Sequence, residues 1–145
     1  MSDGVVVAES GKGRYQQEVR IGQHRLRADE PASMGGNDSG PAPFDFLLTA
    51  LGTCTAMTLR MYAERKGLAL RHVSVALQHE KIEIDGVRRD RIERRISLDG
   101  DLNPAERQRL LEIAEKCPVH RSLSQPLLIA SSLEPAIEAP VACTD

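Results

Sequence analysis

The chain is poor in aromatic residues and cysteine, and it has no strong excess of charge of either sign. Its 145 residues include two Tyr, two Phe and no Trp, so aliphatic side chains and methionine must fill the core. Hydrophobic residues make up 41% and charged residues 28% of the chain. These values exclude a collagen-like, low-complexity or largely disordered chain. The length predicts one domain, residues 1–145, large enough to fold without disulfide bonds.

The charge balance and the apolar segments limit the partners. A formal net charge of -2 at pH 7 disfavours a basic nucleic-acid-binding domain. The first residues, Met-Ser-Asp-Gly, lack the basic and apolar regions of a secretory signal. The longest apolar stretch, Pro43 to Leu59, contains Asp45, Gly52 and several Thr, and it is shorter than the roughly 20 residues that span a bilayer. We therefore predict a cytoplasmic protein with neither a nucleic-acid nor a membrane partner.

The three cysteines, Cys54, Cys117 and Cys143, are too few and odd in number for a secreted disulfide framework. In a reducing compartment such residues are structural, metal-binding or redox-catalytic. Taken alone, Cys54 is typical of a small buried hydrophobic residue. Cys143 lies in a polar C-terminal tail and is predicted to take no part in chemistry.

The order of predicted elements indicates an α+β fold rather than a parallel βαβ sheet. Helix signals are clear at Asn103, Pro104 and Glu106, which match the N-cap, N1 and N3 preferences. The predicted regions are N-terminal strands in 1–30, a Gly/Pro loop in 31–42, a cysteine-bearing helix in 43–67 and a hairpin in 71–99 that turns at Asp85-Gly86. The last region, 103–145, contains a second helix, the second cysteine, a last strand at Pro126–Ile129 and a tail.

The first helix is apolar or small on every side between Leu47 and Leu59. A helix that is hydrophobic all round is buried all round, yet a single α+β domain of this size covers only one side of a helix. The pattern therefore predicts a homodimer with this helix at or near the interface. The alternative is a central helix wrapped by the strands of its own chain.

Cys117 stands directly before Pro118, which disfavours a helical conformation for the cysteine. A cysteine at the N-cap with proline at N1 would begin a new helical turn, whose exposed N–H groups favour the thiolate. His120 and Arg121 add positive charge nearby. The alternative is a purely structural corner between two helices.

Three weaker interpretations concern other residue clusters. A zinc site formed by Cys54, Cys117, His120 and one of His24, His72 or His79 matches no usual ligand spacing. A Cys117–His120 pair for acyl transfer lacks an oxyanion motif. The basic run 88–95 contains Asp90 and Glu93, so a salt-bridged solvent face is favoured over a site for an anionic partner.

Two motifs together resemble those of the OsmC/Ohr family. The first comprises GGNDSGPAP at residues 35–43 and LLTALGTCTAMT at residues 47–58, around Cys54. The second is CPVHRSL at residues 117–123, which begins with Cys117. The order of the predicted elements is similar to that of the family over nearly the whole chain.

The resemblance implies an OsmC-like fold, with antiparallel sheets around a central buried cysteine helix in an intertwined homodimer. It implies a thiol-dependent peroxidase for organic or inorganic hydroperoxides, in which Cys54 forms a sulfenic acid and Cys117 resolves it to a disulfide. A cellular dithiol, such as a lipoylated protein, would reduce that disulfide, and no cofactor or metal is needed. The alternative is a non-catalytic protein of the same fold that binds a hydrophobic small molecule at the dimer crevice.

A buried thiol needs a nearby cation to become reactive. The resemblance implies an Arg from the N-terminal strands, for which Arg14 is the best match, held by a carboxylate near the start of the cysteine helix. Many relatives have Glu ten positions before the cysteine, where this chain has Phe44, so Asp45 is the candidate acid. Helix geometry puts Asp45 about half a turn away from Cys54 and about 13 Å along the axis, so it could act only through a kink, through Arg14 or across a dimer interface. The alternatives are a solvated strand Arg and an acid that stabilises the first helical turn.

Overall fold

The computed structural model describes residues 4–135, which form two antiparallel sheets and three α-helices. The elements in chain order are β1 (Val5–Glu9), β2 (Gln17–Ile21), β3 (His24–Ala28), a 3₁₀ turn (Ala32–Met34), α1 (Pro43–Lys66), β4 (Leu70–Ile84), β5 (Val87–Gly100), α2 (Pro104–Ala114) and α3 (Pro118–Leu123). The α+β class and the antiparallel pairing agree with the prediction from sequence. Cys143 lies outside the described residues.

The first sheet is a meander of β1, β2 and β3, in which Val19 pairs with both Val7 and Leu26. The buried carboxylate of Asp29 holds the following Gly/Pro loop in place through hydrogen bonds. This carboxylate accepts hydrogen bonds from the Ser39 hydroxyl at 2.6 Å and from backbone N–H groups of the loop. The Ser39 hydroxyl is the largest cause that places the pKa of Asp29 below its ordinary value, and burial acts in the opposite direction.

Helix α1 begins with Pro43 at its first position and ends at Gly67, which adopts a left-handed conformation with φ of 65°. Its fully covered residues, Leu51, Thr55, Leu59 and Ala63, recur every four positions and form one face. None of the helices in residues 4–135 combines the length and hydropathy needed to cross a bilayer.

The other faces of α1 remain open, contrary to the expectation that its own chain could wrap it. Met57 and Met61 are 59% and 66% exposed, and Cys54 is half-buried. The strands β4 and β5 form a single hairpin sheet, and in the described residues they reach only one side of the helix. The predicted burial on every side therefore does not occur within one copy of the chain.

The second sheet is a long hairpin of β4 and β5 that turns at Asp85 and Gly86, both with positive φ as a two-residue hairpin loop requires. Helix α1 packs close to this sheet at Gly52, where an added Cβ would lie 2.7 Å from a methyl carbon of Leu77. The core lies between the sheet and the helices. It comprises Leu59, Leu110, Ile113 and Ala114, with partly buried side chains around them.

The predicted last strand at Pro126–Ile129 is wrong for the described chain. This segment adopts no regular secondary structure, and Leu128 and Ile129 are 101% and 85% exposed. A strand is defined by the hydrogen bonds of a ladder, and no strand described in residues 4–135 pairs with this segment. The segment is apolar, as predicted, but it pairs with none of the free strand edges in residues 4–135.

A pair of neighbouring leucines tests the position of the core. Leu110 is fully buried in the cluster, whereas Leu111 is 47% exposed. We expect Leu110→Ala to lower the free energy of unfolding by about 2–5 kcal/mol, because it removes buried methyl groups and leaves a cavity. Leu111→Ala should cost about 1 kcal/mol or less. Urea unfolding at one fixed protein concentration measures both, and equal losses would contradict this assignment of the core.

Candidate active site

The fold brings Cys54 and Cys117 together from distant parts of the sequence. Cys54 lies midway along α1, and Cys117 lies at the break between α2 and α3. The Cys54 thiol lies near enough to Cys117 to lower the pKa of the Cys117 thiol, and both cysteines are free thiols. Cys54 is half-buried, whereas Cys117 has no exposed surface. The pair therefore has an outer sulfur that a solute can reach and an inner sulfur that is protected.

Two polar groups lie next to the Cys117 sulfur. Cys117 is the N-cap of α3, and its Sγ accepts a hydrogen bond from the backbone N–H of His120 at 3.3 Å. The hydroxyl of Thr55 lies 3.9 Å from the same sulfur. Thr55 is itself fully buried, one residue after Cys54 on α1. The expected N-cap geometry of Cys117 and Pro118 is therefore present.

Arg94 on β5 completes this cluster. One guanidinium nitrogen donates to the Thr55 hydroxyl at 2.9 Å and to the carbonyl of Ala114 at 3.3 Å. The other lies 3.0 Å from Nδ1 of the His120 ring. The guanidinium thus joins β5, α1 and the corner between α2 and α3 around the inner sulfur.

Arg94 was not among the predicted site residues, although its position in the strand carried a signal. Ile92, Ile96 and Leu98 occupy one face of β5, and Arg94 has the same parity as these three residues. A charged residue on an apolar strand face is rarely buried without partners. That pattern indicates a buried polar contact, but it does not show with which residue.

The surroundings of Cys117 affect its ionisation in opposite directions. Burial, the largest cause, raises the pKa of the Cys117 thiol. The His120 backbone N–H, the Cys54 thiol, the Thr55 hydroxyl and the positive charge of Arg94 all lower it. Together these four outweigh burial, so that the pKa of Cys117 lies below its ordinary value. A lowered pKa increases the thiolate fraction, which is the reactive form of cysteine.

His120 is a neutral acceptor in this cluster. Arginine only donates hydrogen bonds, so the Nδ1 atom that faces Arg94 must be unprotonated and the ring proton must lie on Nε2. Burial and the Arg94 charge lower the pKa of His120, while Glu115 raises it slightly. The imidazole is thus committed to Arg94, and only the backbone of His120 contacts Cys117. This arrangement disfavours the acyl-transfer interpretation, which needs the imidazole as the base for that thiol.

Arg14 and Asp45 do not meet the cysteines within one copy of the chain. The Arg14 guanidinium lies 5.0 Å from the ring centre of Tyr15, a cation–π distance. The Asp45 carboxylate accepts a hydrogen bond from the Ala42 backbone N–H at 3.0 Å, which caps α1. In residues 4–135, neither side chain forms a hydrogen bond or ion pair with Cys54 or Cys117.

The basic run on β5 is a mostly exposed surface, and two of its members form salt bridges. Arg91 pairs with Glu80 at 2.8 Å, and Lys81 and His79 both contact Asp90, at 2.9 and 2.7 Å. Arg94 differs from the other arginines of the run because it points inward. Among the described residues, no group of three or more His, Cys, Asp or Glu side chains is close enough to hold a metal ion.

A crevice of about 670 Å³ opens beside the cysteine pair. Arg94 and His120 line it at the end nearest the sulfurs, and Phe44 lines it with His79, on whose ring it stacks at 4.1 Å. Its apolar walls are formed by Leu47, Leu51, Ile92, Ile96, Leu111 and Leu123. Leu47, Leu51 and Cys54 follow one another on the same side of α1, so the wall leads towards the outer thiol.

Solved structures share this fold at low sequence identity. An OsmC-like protein from Mycoplasma pneumoniae is 17% identical with a TM-score of 0.70, covering 83% of this chain and 85% of that one. The organic hydroperoxide resistance protein OsmC from Legionella pneumophila is 18% identical with a TM-score of 0.63, covering 85% and 90%. An organic hydroperoxide resistance protein from Elizabethkingia anophelis is 18% identical with a TM-score of 0.63, and the match covers 82% of this chain and 85% of that one. No curated protein sequence matches the chain.

The fold and the site together define a small α+β protein with two neighbouring free thiols and a largely apolar crevice next to them. The family model described as OsmC-like protein matches residues 35–132, which include both cysteines. The chain belongs to the OsmC-like family, as the two motifs predicted.

Mild oxidation tests the contact between the sulfurs. We expect diamide to join Cys54 and Cys117 in an intramolecular disulfide, because the fold brings the two thiols near each other. Peptide mapping by mass spectrometry under non-reducing conditions identifies the pair. Cys143→Ser is the matched control and should form the same disulfide. Oxidation that yields only disulfides through Cys143 or between chains would contradict this site.

Proposed function

We propose that the protein is a thiol-dependent peroxidase that reduces organic and inorganic hydroperoxides. The observation that carries the proposal is the proximity of a half-buried thiol, Cys54, to a buried thiol of lowered pKa, Cys117, whose neighbours Arg94 and His120 line a largely apolar crevice. Two thiols in contact form a disulfide readily, whereas a lone buried cysteine is usually inert.

In the proposed reaction the Cys54 sulfur attacks the outer oxygen of the hydroperoxide. The O–O bond breaks, Cys54 becomes a sulfenic acid and the alcohol leaves after gaining a proton. The Cys117 thiolate then attacks the Cys54 sulfur and displaces hydroxide, which forms the Cys54–Cys117 disulfide. Both electrons that reduce the peroxide come from the two sulfurs, so no metal or flavin takes part.

A dithiol must then restore the pair by thiol–disulfide exchange. A lipoylated protein is the proposed reductant, since a lipoyl group combines two thiols with a slender apolar arm. Cys54 is the sulfur that such a reductant can reach, because Cys117 has no exposed surface. A cytoplasmic location, which keeps dithiols reduced, is part of this proposal.

The crevice supports a preference for hydroperoxides with an apolar body. Most of its lining side chains are aliphatic, and Arg94 and His120 lie at the end near the sulfurs. Two of the similar structures are organic hydroperoxide resistance proteins, which agrees with this substrate class. The second candidate function uses the same crevice: binding of a hydrophobic small molecule without chemistry. The cysteine contact favours the peroxidase, because simple binding does not require paired thiols.

The functional unit in this proposal is an intertwined homodimer. Apolar side chains are exposed on two separate parts of the chain, Met57 and Met61 on α1 and Leu128, Ile129 and Leu133 after α3. Large exposed apolar patches are typical of interaction surfaces. A second copy could cover α1 and offer a sheet edge to the segment that contains Pro126–Ile129. Arg14 and Asp45 would act on Cys54 only across that interface.

Peroxide consumption with a dithiol reductant tests the chemistry. We expect Cys54→Ser to lose turnover of cumene hydroperoxide, because it lacks the attacking sulfur. Cys117→Ser should react once and stop at a trapped sulfenic or over-oxidised Cys54, visible by mass spectrometry. Cys143→Ser serves as the control with unchanged turnover.

Two outcomes separate the candidate functions. If Cys54→Ser consumes cumene hydroperoxide as fast as the wild type, the peroxidase assignment is wrong. If no variant and no wild-type protein consumes peroxide, yet an apolar fluorescent probe binds in the crevice and Leu47→Arg abolishes that binding, the protein is a binding module.

Light scattering at micromolar protein concentration tests the dimer. We expect a species of twice the 15.9 kDa chain mass. Met57→Asp combined with Met61→Asp should shift it towards the monomer, because charges are costly in an apolar interface. Arg65→Asp, in the last turn of the same helix, is the control for added negative charge. A wild-type protein that is cleanly monomeric contradicts the proposal.

A further inference from the structure

The partners of Arg94 are all neutral. Its guanidinium is bonded to the Thr55 hydroxyl, the Ala114 carbonyl and the unprotonated nitrogen of His120. No carboxylate in residues 4–135 forms an ion pair with it, whereas the surface arginine Arg91 pairs with Glu80. The positive charge of Arg94 is therefore not cancelled by a direct partner, and it lies one hydroxyl away from the Cys117 sulfur.

The hydrogen bonds of the Thr55 hydroxyl link the Arg94 guanidinium to the Cys117 sulfur. A threonine hydroxyl has one proton and can accept two hydrogen bonds. In the structure, Thr55 donates that proton to the Leu51 carbonyl at 2.6 Å and accepts from Arg94 at 2.9 Å. A neutral Cys117 can therefore donate its S–H to the remaining lone pair of the oxygen. When Cys117 ionises, the hydroxyl must rotate and donate its proton to the sulfur.

That rotation gives up the bond to the Leu51 carbonyl but keeps the bond from Arg94. The guanidinium fixes the oxygen in place and polarises the O–H group, which makes the hydroxyl a better donor to an anion. The backbone N–H of His120 already points at the same sulfur from the opposite element. The inner sulfur thus has donors from α1 and α3 that suit a thiolate.

We propose that Arg94 is the positioning residue of the cysteine pair. It holds Thr55 so that Cys117 carries the negative charge of the reduced pair. Cys117 then acts first as the base that takes the proton of Cys54 and later as the resolving nucleophile. This role rests on the proposed peroxidase function, in which Cys54 meets the peroxide. It assigns to the inner cysteine a part in the first step as well as in the second.

The steps balance with one shared proton. As the Cys54 sulfur attacks the hydroperoxide, its proton passes to the Cys117 thiolate, and the products are Cys54 sulfenic acid, an alkoxide and the Cys117 thiol. The alkoxide takes the proton from Cys117 and leaves as the alcohol. The regenerated Cys117 thiolate attacks the Cys54 sulfur and releases hydroxide. The net result converts one thiol, one thiolate and one hydroperoxide to a disulfide, an alcohol and hydroxide.

The charged and titratable groups around the pair come from four places in the fold. They are Cys54 on α1, Arg94 on β5, Glu115 just after α2, and His120 on α3. His120 is neutral while it accepts from Arg94, and Glu115 acts on His120 rather than directly on the sulfur. Asp90 and His79 line the outer part of the crevice and are paired with each other. Arg94 is therefore the cation expected to govern the pair.

Titration of the reduced pair tests the role of Arg94 without using peroxide. The thiolate is followed by its ultraviolet absorbance in a Cys143→Ser background, with the disulfide form of each variant as the blank. We expect Arg94→Met to move the midpoint upwards by about one pH unit or more, which lowers the thiolate population about tenfold below the midpoint. Arg94→Lys should restore part of the shift. Arg95→Met, an exposed neighbour on the other strand face, should leave the midpoint unchanged.

A second pair of variants covers the case in which Arg94→Met does not fold. Thr55→Val removes the hydroxyl but keeps the shape of the side chain, and it should also raise the midpoint. Thr55→Ser keeps the hydroxyl and should leave the midpoint near the wild-type value. A glutathione redox buffer supplies an independent measurement. Loss of Arg94 or of the Thr55 hydroxyl should shift the equilibrium towards the disulfide, because it destabilises the reduced, ionised form.

Unchanged midpoints in folded Arg94→Met, or in Thr55→Val where Arg94→Met is unfolded, would overturn the inference. So would a midpoint that responds to Arg14→Met and not to Arg94→Met. Failure of the peroxidase function differs from failure of this inference. In that case the wild-type protein would show no peroxide turnover, but its titration midpoint would still depend on Arg94. If both hold, Arg94→Met should also slow the first, sulfenic acid-forming step measured by stopped flow.

Discussion

The site depends on one partly buried contact, the bond from the Arg94 guanidinium to the buried Thr55 hydroxyl near the Cys117 sulfur. A thiol without exposed surface is ordinarily neutral and unreactive, because burial penalises its charged form. A charged guanidinium is equally costly to bury without partners. The two costs offset each other here. The Arg94 guanidinium donates to three neutral acceptors, and the Cys117 sulfur lies near hydrogen-bond donors and a positive charge that no carboxylate pairs with. The same contact ties the hairpin to both helical segments.

Much of the chain could be predicted because its signals are local. Asn103, Pro104 and Glu106 specify the start of α2 through capping bonds between near neighbours, and the structure forms both of them. Asp85 and Gly86 specify the hairpin turn through their tolerance of positive φ. The two cysteines were identified by their motifs, and the fold places them in contact.

The features that escaped prediction depend on distant parts of the chain. Arg94 stands within a basic run whose other arginines are exposed, and its inward direction shows only in its parity with Ile92 and Ile96. Its partners lie on α1 and at the corner before α3, which are too far away in the sequence for a local pattern to indicate them. The strand expected at Pro126–Ile129 failed for a related reason, since an apolar extended segment becomes a strand only where a sheet edge is available.

Phe44 and Asp45, at the start of α1, fit this distribution of charge. Phe44 stacks on His79 and lines the crevice, and the Asp45 carboxylate caps α1, so neither side chain pairs with an arginine in the described residues. A carboxylate bound to an arginine would cancel much of its charge, whereas the partners of Arg94 are all neutral. The positive charge of Arg94 therefore reaches the inner cysteine from within the same chain and lowers the pKa of Cys117.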